Sequence, residues 1–108
     1  MNFMGKILIV DDMVEVYNKL KDKIEDADYS PNVEDALNKI REGEYTQIIT
    51  DFHLGDESPK GGLKILKVAS KKGIECILMS TENHEKEALK FRKTKFIFKK
   101  ELIANGRR

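Results

Sequence analysis

The chain has 108 residues, which excludes a second domain and allows one core burying somewhat under ~70% of the surface an unfolded chain would expose. Apolar residues make up 40% and charged residues 36%, too apolar a mixture for a disordered chain. Twenty Lys and Arg stand against 19 Asp and Glu, a formal charge of +1, so no global field favours nucleic acid or an anionic membrane as partner. Any electrostatic function must be local. Cys76 is the sole cysteine, which excludes an internal disulfide; within Cys76-Ile77-Leu78-Met79 it reads as a buried strand position and fits a reducing cytoplasm. The start, MNFMGKILIV, has too short an apolar run for a secretory or membrane segment.

Taken in order, strand-like and helix-like pieces alternate. Lys6-Ile7-Leu8-Ile9-Val10 is a continuous apolar run, as expected of a central parallel strand covered on both faces, and it ends at Asp11-Asp12. Val14, Tyr17, Leu20, Lys21 and Ile24 then recur at helical spacing and predict a helix over 13–26, with Glu15, Lys19, Lys23 and Glu25 on its polar side. The piece at 29–33 contains Pro31, which confines it to an edge strand or a connector. A second helix is predicted over 34–42, with Ala36, Leu37 and Ile40 inward and Gly43 as terminator.

Gln47-Ile48-Ile49-Thr50 predicts a third strand ending at Asp51, followed by a turn-rich loop over 55–61 whose length suggests mobility. A helix over 62–72 follows, with Leu63, Leu66 and Ala69 as its apolar stripe. The fourth strand spans 75–80. A polar fourth helix is predicted over 81–93, apolar only at Ala88, Leu89 and Phe91, then a fifth strand over 95–98. Residues 99–108 leave room for about two helical turns around Leu102, Ile103 and Ala104. Strands alternating with helices of this length imply an α/β fold, a parallel sheet with right-handed crossovers and helices on both faces.

In such a sheet the strand ends share one rim, the edge where ligands bind. The first strand brings Asp11 and Asp12, the third Asp51, the fourth Ser80 and Thr81, the fifth Lys99. Three adjacent carboxylates repel one another. A magnesium ion relieves that repulsion, since it takes oxygen ligands from one or two carboxylates together with a phosphate. A lysine and a hydroxyl opposite the metal complete a phosphoryl-binding site. Asp51 is the candidate nucleophile, because carboxylates form aspartyl-phosphates.

These pieces resemble the receiver domain of two-component response regulators over nearly the whole chain: ILIVDD with Asp11-Asp12, IITDF with Asp51, the Gly62-Leu63 helix start, ILMST with Ser80, and FIFK with Lys99. The resemblance implies a flavodoxin-like doubly wound five-stranded sheet of order 2-1-3-4-5, with a truncated C-terminal helix in this chain, and a phosphoacceptor switch in which Asp51 takes a phosphoryl group from a histidine kinase or phosphotransfer protein. It implies that Asp12 ligates Mg2+ directly, Asp11 mostly through water, and the backbone carbonyl of His53 as a further ligand. Ser80 would bond the phosphoryl oxygen and Lys99 pair with it, with Phe96 as the aromatic switch residue. His53 and Glu82 fall where the family tunes dephosphorylation.

The chain departs from the family pattern in several places. Thr81 replaces a small residue after the switch hydroxyl and narrows access to Asp51, which slows phosphoryl uptake from small donors and hydrolysis. Lys100 stands where a proline follows the lysine, and a non-proline cis bond costs roughly 2.5–4 kcal/mol, so a trans turn is expected. The loop after Asp51 is longer by about three residues and lacks its early proline. The last helix is too short to cover its sheet face, and uncovered apolar surface predicts an interface, either a homodimer or a docked partner. With no output domain on the chain, the signal is expected to leave through a protein partner.

Simpler roles compete for the same residues. Asp12-Met13-Val14-Glu15 fits a capping box, Ser80 or Thr81 a helix cap, and Lys99 a solvated end beside Lys100 and Glu101. At least one of Phe96 and Phe98 is plain core, and His53 and His84 read as exposed loop residues. Two other functions remain open. One is a non-phosphorylated interaction module on the same fold. The other is a small Mg2+-dependent phosphohydrolase, disfavoured because no second aspartate follows Asp51 two residues on.

Overall fold

A computed structural model describes residues 5–24 and 26–105. The strands are β1 (Ile7–Val10), β2 (Ala27–Ser30), β3 (Gln47–Asp51), β4 (Glu75–Ser80) and β5 (Thr94–Phe98), of which β1 and β3 are rich in β-branched residues and β2 has none. All neighbours pair in parallel, as the alternation predicts, in the order β2-β1-β3-β4-β5 that the receiver resemblance implies. Successive strand side chains point to opposite faces. Leu8, Val10, Ile48, Cys76 and Leu78 therefore meet one core cluster, and Ile7, Ile9, Ile49, Ile77 and Met79 the other. The first cluster is covered by α2 (Val33–Glu42) and α3 (Gly61–Lys71), the second by α1 (Val14–Lys21) and α5 (Lys99–Asn105).

Several boundaries differ from the sequence expectation. Helix α1 stops at Lys21 rather than 26, because the chain turns through Lys23 and Ile24, whose amides donate to Leu20 and Lys21 carbonyls, to reach β2. Its buried residues are Val16 and Leu20, whereas Val14 is exposed; Glu25 lies outside the described residues. Residues 1–4 and 106–108, at the two ends of the expected elements, are outside them as well. Pro31 falls just after edge strand β2, and Asn32 caps α2 by accepting the Asp35 amide at 2.8 Å. The loop after β3, expected to be mobile for its length, is tied by backbone hydrogen bonds from Leu54 to Ser58, Ser58 to Gly55 and Gly61 to Ser58.

The largest correction concerns the fourth helix. Instead of 81–93 it is the single turn α4 (Glu85–Ala88). Ser80 Oγ accepts the Glu82 amide and Asn83 Oδ1 the Glu85 amide, so side chains take the backbone donors that a longer helix needs. Too few apolar residues offset the cost of starting the helix early: Ala88 is buried and Phe91 half-buried, but Leu89 is 65% exposed.

The short C-terminal helix covers more than its length promises. Leu102 is buried and Ile103 half-buried against the second cluster, and Lys23 Nζ donates to the Ile103 carbonyl. Ile7, Ile9, Ile49, Ile77 and Met79 beneath are fully buried, so the open sheet face expected there is absent among the described residues. No described helix is long and apolar enough to cross a membrane. Cys76 is buried, and burial pushes its thiol up to about 11, which leaves it inert.

Candidate functional site

Strand register builds the site. Val10 is level with Thr50 and Asp51 with Met79, so Asp11, one residue past β1, comes level with Asp51 at the end of β3. Ser80 ends β4 opposite Phe98, and Lys99 follows at the start of α5 with no loop between. One oxygen each from Asp11, Asp12 and Asp51 lies within 4.8 Å of the other two. The Lys99 ammonium bridges the buried pair, 2.9 Å from Asp11 Oδ2 and 3.1 Å from Asp51 Oδ2.

Each carboxylate is held differently. Asp11 is fully buried; its Oδ1 accepts the Met13 amide at 2.8 Å and its carbonyl accepts the Tyr29 hydroxyl at 2.7 Å. Its Oδ2 pairs with the Lys99 ammonium and has no other hydrogen-bond partner among the described residues. Asp51 Oδ1 accepts the amide of Phe52 at 3.0 Å. Asp12 is exposed and does not cap α1: Met13 occupies the cap position, with no side-chain hydrogen bond.

Burial, then the negative charge of Asp11, push the Asp51 carboxyl up to about 6; Lys99 and the Phe52 amide oppose the rise without cancelling it. Burial likewise raises Asp11, against the Met13 amide and Lys99. Burial works against the charge on Lys99, but its hydrogen bond to Asp11 and the two carboxylates' charges outweigh that and raise it. Three carboxylates served by one ammonium form a cluster short of positive charge. A hard divalent cation fits this donor set: all-oxygen, one member exposed to keep solvent ligands, and one buried oxygen paired with Lys99 alone among the described residues.

The remaining residues singled out in the sequence are distributed as follows. Ser80 is buried, and its Oγ accepts the Glu82 amide at 3.2 Å. Thr81 is exposed and, with Lys19, Lys99, Lys100, Ile103 and Ala104, lines a mainly apolar groove between α1 and α5. Phe96 is half-buried against the first core cluster and meets Phe98 edge-on at 5.0 Å, so it is the core member of that pair. His53 is exposed, as is the Glu82 side chain. The peptides around Lys99 contain no cis bond.

Two features of the site escaped the sequence. Gly62 lies so close under β3 that a Cβ there would meet the Asp51 carbonyl oxygen at 2.3 Å and Phe52 Cα at 2.9 Å; the glycine pair Gly61-Gly62 was the available signal. His84, expected to be an exposed loop residue, has a largely covered side chain and stacks on Phe52 with ring centroids 3.6 Å apart and planes 4° from parallel. Nothing in the local sequence marks that pairing.

Solved structures share this fold. A response regulator receiver domain from Francisella superposes with a TM-score of 0.70 at 21% identity, covering 95% of this chain and 93% of its own. A Thermotoga maritima response regulator in complex with Mg2+ and BeF gives 0.71 at 24% identity, with 87% of each chain covered. The chain has the receiver-domain fold. A two-component response regulator from Clostridium difficile matches the receiver fold at 0.67 and 26% identity over 80% of this chain and 73% of that one. No family model matches the sequence, and no curated protein is significantly similar to it.

Proposed function

We propose that the chain is a single receiver unit and a phosphoacceptor signalling switch, in which Asp51 takes a phosphoryl group from a histidine kinase or phosphotransfer protein. The observation that carries this reading is the Lys99 ammonium bridging Asp11 and Asp51 beside a third carboxylate, Asp12, on the rim of a receiver fold. Asp11, Asp12, Asp51 and the His53 carbonyl would hold Mg2+. When bound, the ion would supply positive charge to the carboxylates and to the phosphoryl oxygens.

A carboxylate oxygen of Asp51 attacks the phosphorus in line with the donor; the bond from phosphorus to the donor breaks, its electron pair leaves with the donor, and an acyl phosphate remains. Lys99 then exchanges a carboxylate for the phosphoryl oxygens as its partner. The Ser80 hydroxyl, which accepts from the Glu82 amide, still has its own proton to donate to the phosphoryl group. Thr81 sits at the approach and slows small donors, Phe96 follows the movement of Ser80, and His53 and Glu82 set hydrolysis. The chain is a signalling domain rather than an enzyme with turnover, acts in the cytoplasm, and passes its state to a protein partner.

Mass spectrometry after incubation with acetyl phosphate and Mg2+, repeated with a histidine kinase as donor because Thr81 slows small donors, tests the reading. One phosphoryl group on the wild type and none on Asp51→Asn is expected. No adduct from either donor would sink it, and steady turnover of phosphomonoesters would point to a hydrolase.

A further inference from the structure

We infer that His84 is a positioning residue: its imidazole, seated flat on Phe52, holds the loop over 80–83 at the phosphoryl site. This rests on the reading of Asp51 as the phosphoacceptor. Phe52 is rigid relative to that carboxylate, since its amide lies 2.9 Å from the Met79 carbonyl and 3.0 Å from Asp51 Oδ1, and its ring is buried. A ring stacked on Phe52 is therefore registered to Asp51. The face of the imidazole lies on Phe52, and its edge is turned to Glu87, with Nδ1 3.3 Å from Oε2, and to Glu82, with Nε2 4.0 Å from Oε1.

The loop has little else to hold it. Thr81, Glu82 and Asn83 are exposed, and α4 beyond them is four residues long, too short to persist without tertiary support. Ser80 anchors one end by its place in β4; the stack anchors the other, four residues on. Fixing both ends keeps the Glu82 amide on Ser80 Oγ and so leaves the hydroxyl proton directed elsewhere. The ring face, not the ring nitrogens, carries this role.

The test is titration of the folded protein with Mg2+ alone and then with beryllofluoride in saturating Mg2+, by calorimetry and fluorine NMR, for wild type, His84→Ala, His84→Gln and His84→Phe. Beryllofluoride affinity is expected to fall roughly three- to tenfold, the scale of one aromatic pair, in the Ala and Gln variants and to recover in Phe. Mg2+ affinity should stay constant across the set, which a general loss of structure would not allow. If His84→Ala does not fold, the Gln and Phe pair carries the comparison. Equal beryllofluoride binding in all variants, a matching drop in Mg2+ affinity, or rescue by Gln instead of Phe would each overturn the assignment. A wild type that binds Mg2+ and beryllofluoride while the variants are indifferent removes only the role of His84; a wild type that binds neither removes the phosphoacceptor reading with it.

Discussion

The two walls of the rim site are built on different principles. One wall is the ends of β1 and β3, strands bonded on both edges and buried on both faces, where Asp11 and Asp51 are 0% and 6% exposed. The other is the turn from β4 into the one-turn α4 together with the junction of edge strand β5 and α5, where Thr81, Glu82 and Asn83 are exposed. The first wall gains its position from the sheet and carries unfavourable charge burial. The second depends on a few side-chain contacts, above all the Lys99 bridge and the His84 stack. A rigid wall facing a weakly held one would suit the proposed phosphoacceptor switch, since mobile parts come from the less stable end of a structure.

Substitutions can break or sharpen this contrast. The largest effect should come from Asp51→Asn, which abolishes phosphoryl uptake by mass spectrometry while stabilising the metal-free protein. The sign follows from the raised carboxyl: the folded chain keeps the proton up to about pH 6, the unfolded chain releases it near 3.8, so stability falls as pH rises through that window. At pH 7 the gain in the variant is up to about 3 kcal/mol, and its urea midpoint should change less between pH 4 and 7 than that of wild type.

Next is Lys99→Met, which strands two buried carboxylates. It should cost on the order of 2–3 kcal/mol at pH 7 in denaturant melts, less at pH 5 where protonation relieves the carboxylates, and weaken beryllofluoride binding. Mg2+ binding should tighten in the same variant, because the ammonium and the ion compete for Asp11 and Asp51. Unchanged stability would show that Lys99 is a solvated end after all.

Gly62→Ala probes the rigid wall from beneath. With no room for a Cβ between α3 and the end of β3, a loss of about 1–3 kcal/mol is expected in thermal unfolding, together with weaker Mg2+ binding as Asp51 is pushed out of line. The smallest effect belongs to the outer wall: Leu89→Ser, at a residue 65% exposed, should change stability by no more than about 0.5 kcal/mol. A larger loss would mean that α4 is more tightly packed than its exposure indicates.

Much of the first wall was legible in the sequence. ILIV is a continuous apolar run and QIIT a strand-like one built on Ile48-Ile49, both followed by aspartate, and a doubly covered strand leaves such runs little choice of structure. The second wall was legible only at Ser80 and Lys99, which stand at the strand ends where the sequence puts them. Residues 81–93 read as a helix, yet Ser80 and Asn83 diverted the backbone donors, and His84 found Phe52, thirty-two positions earlier, as its partner. Composition and hydrophobic period therefore determined the alternation of strands and helices and which acidic residues stand at the strand ends, because those depend on local pattern and burial. Tertiary structure alone decided the Lys99 bridge, the close approach at Gly62 and the ring stack on Phe52. Each depends on how far apart two segments come to rest after packing, a distance no local pattern encodes.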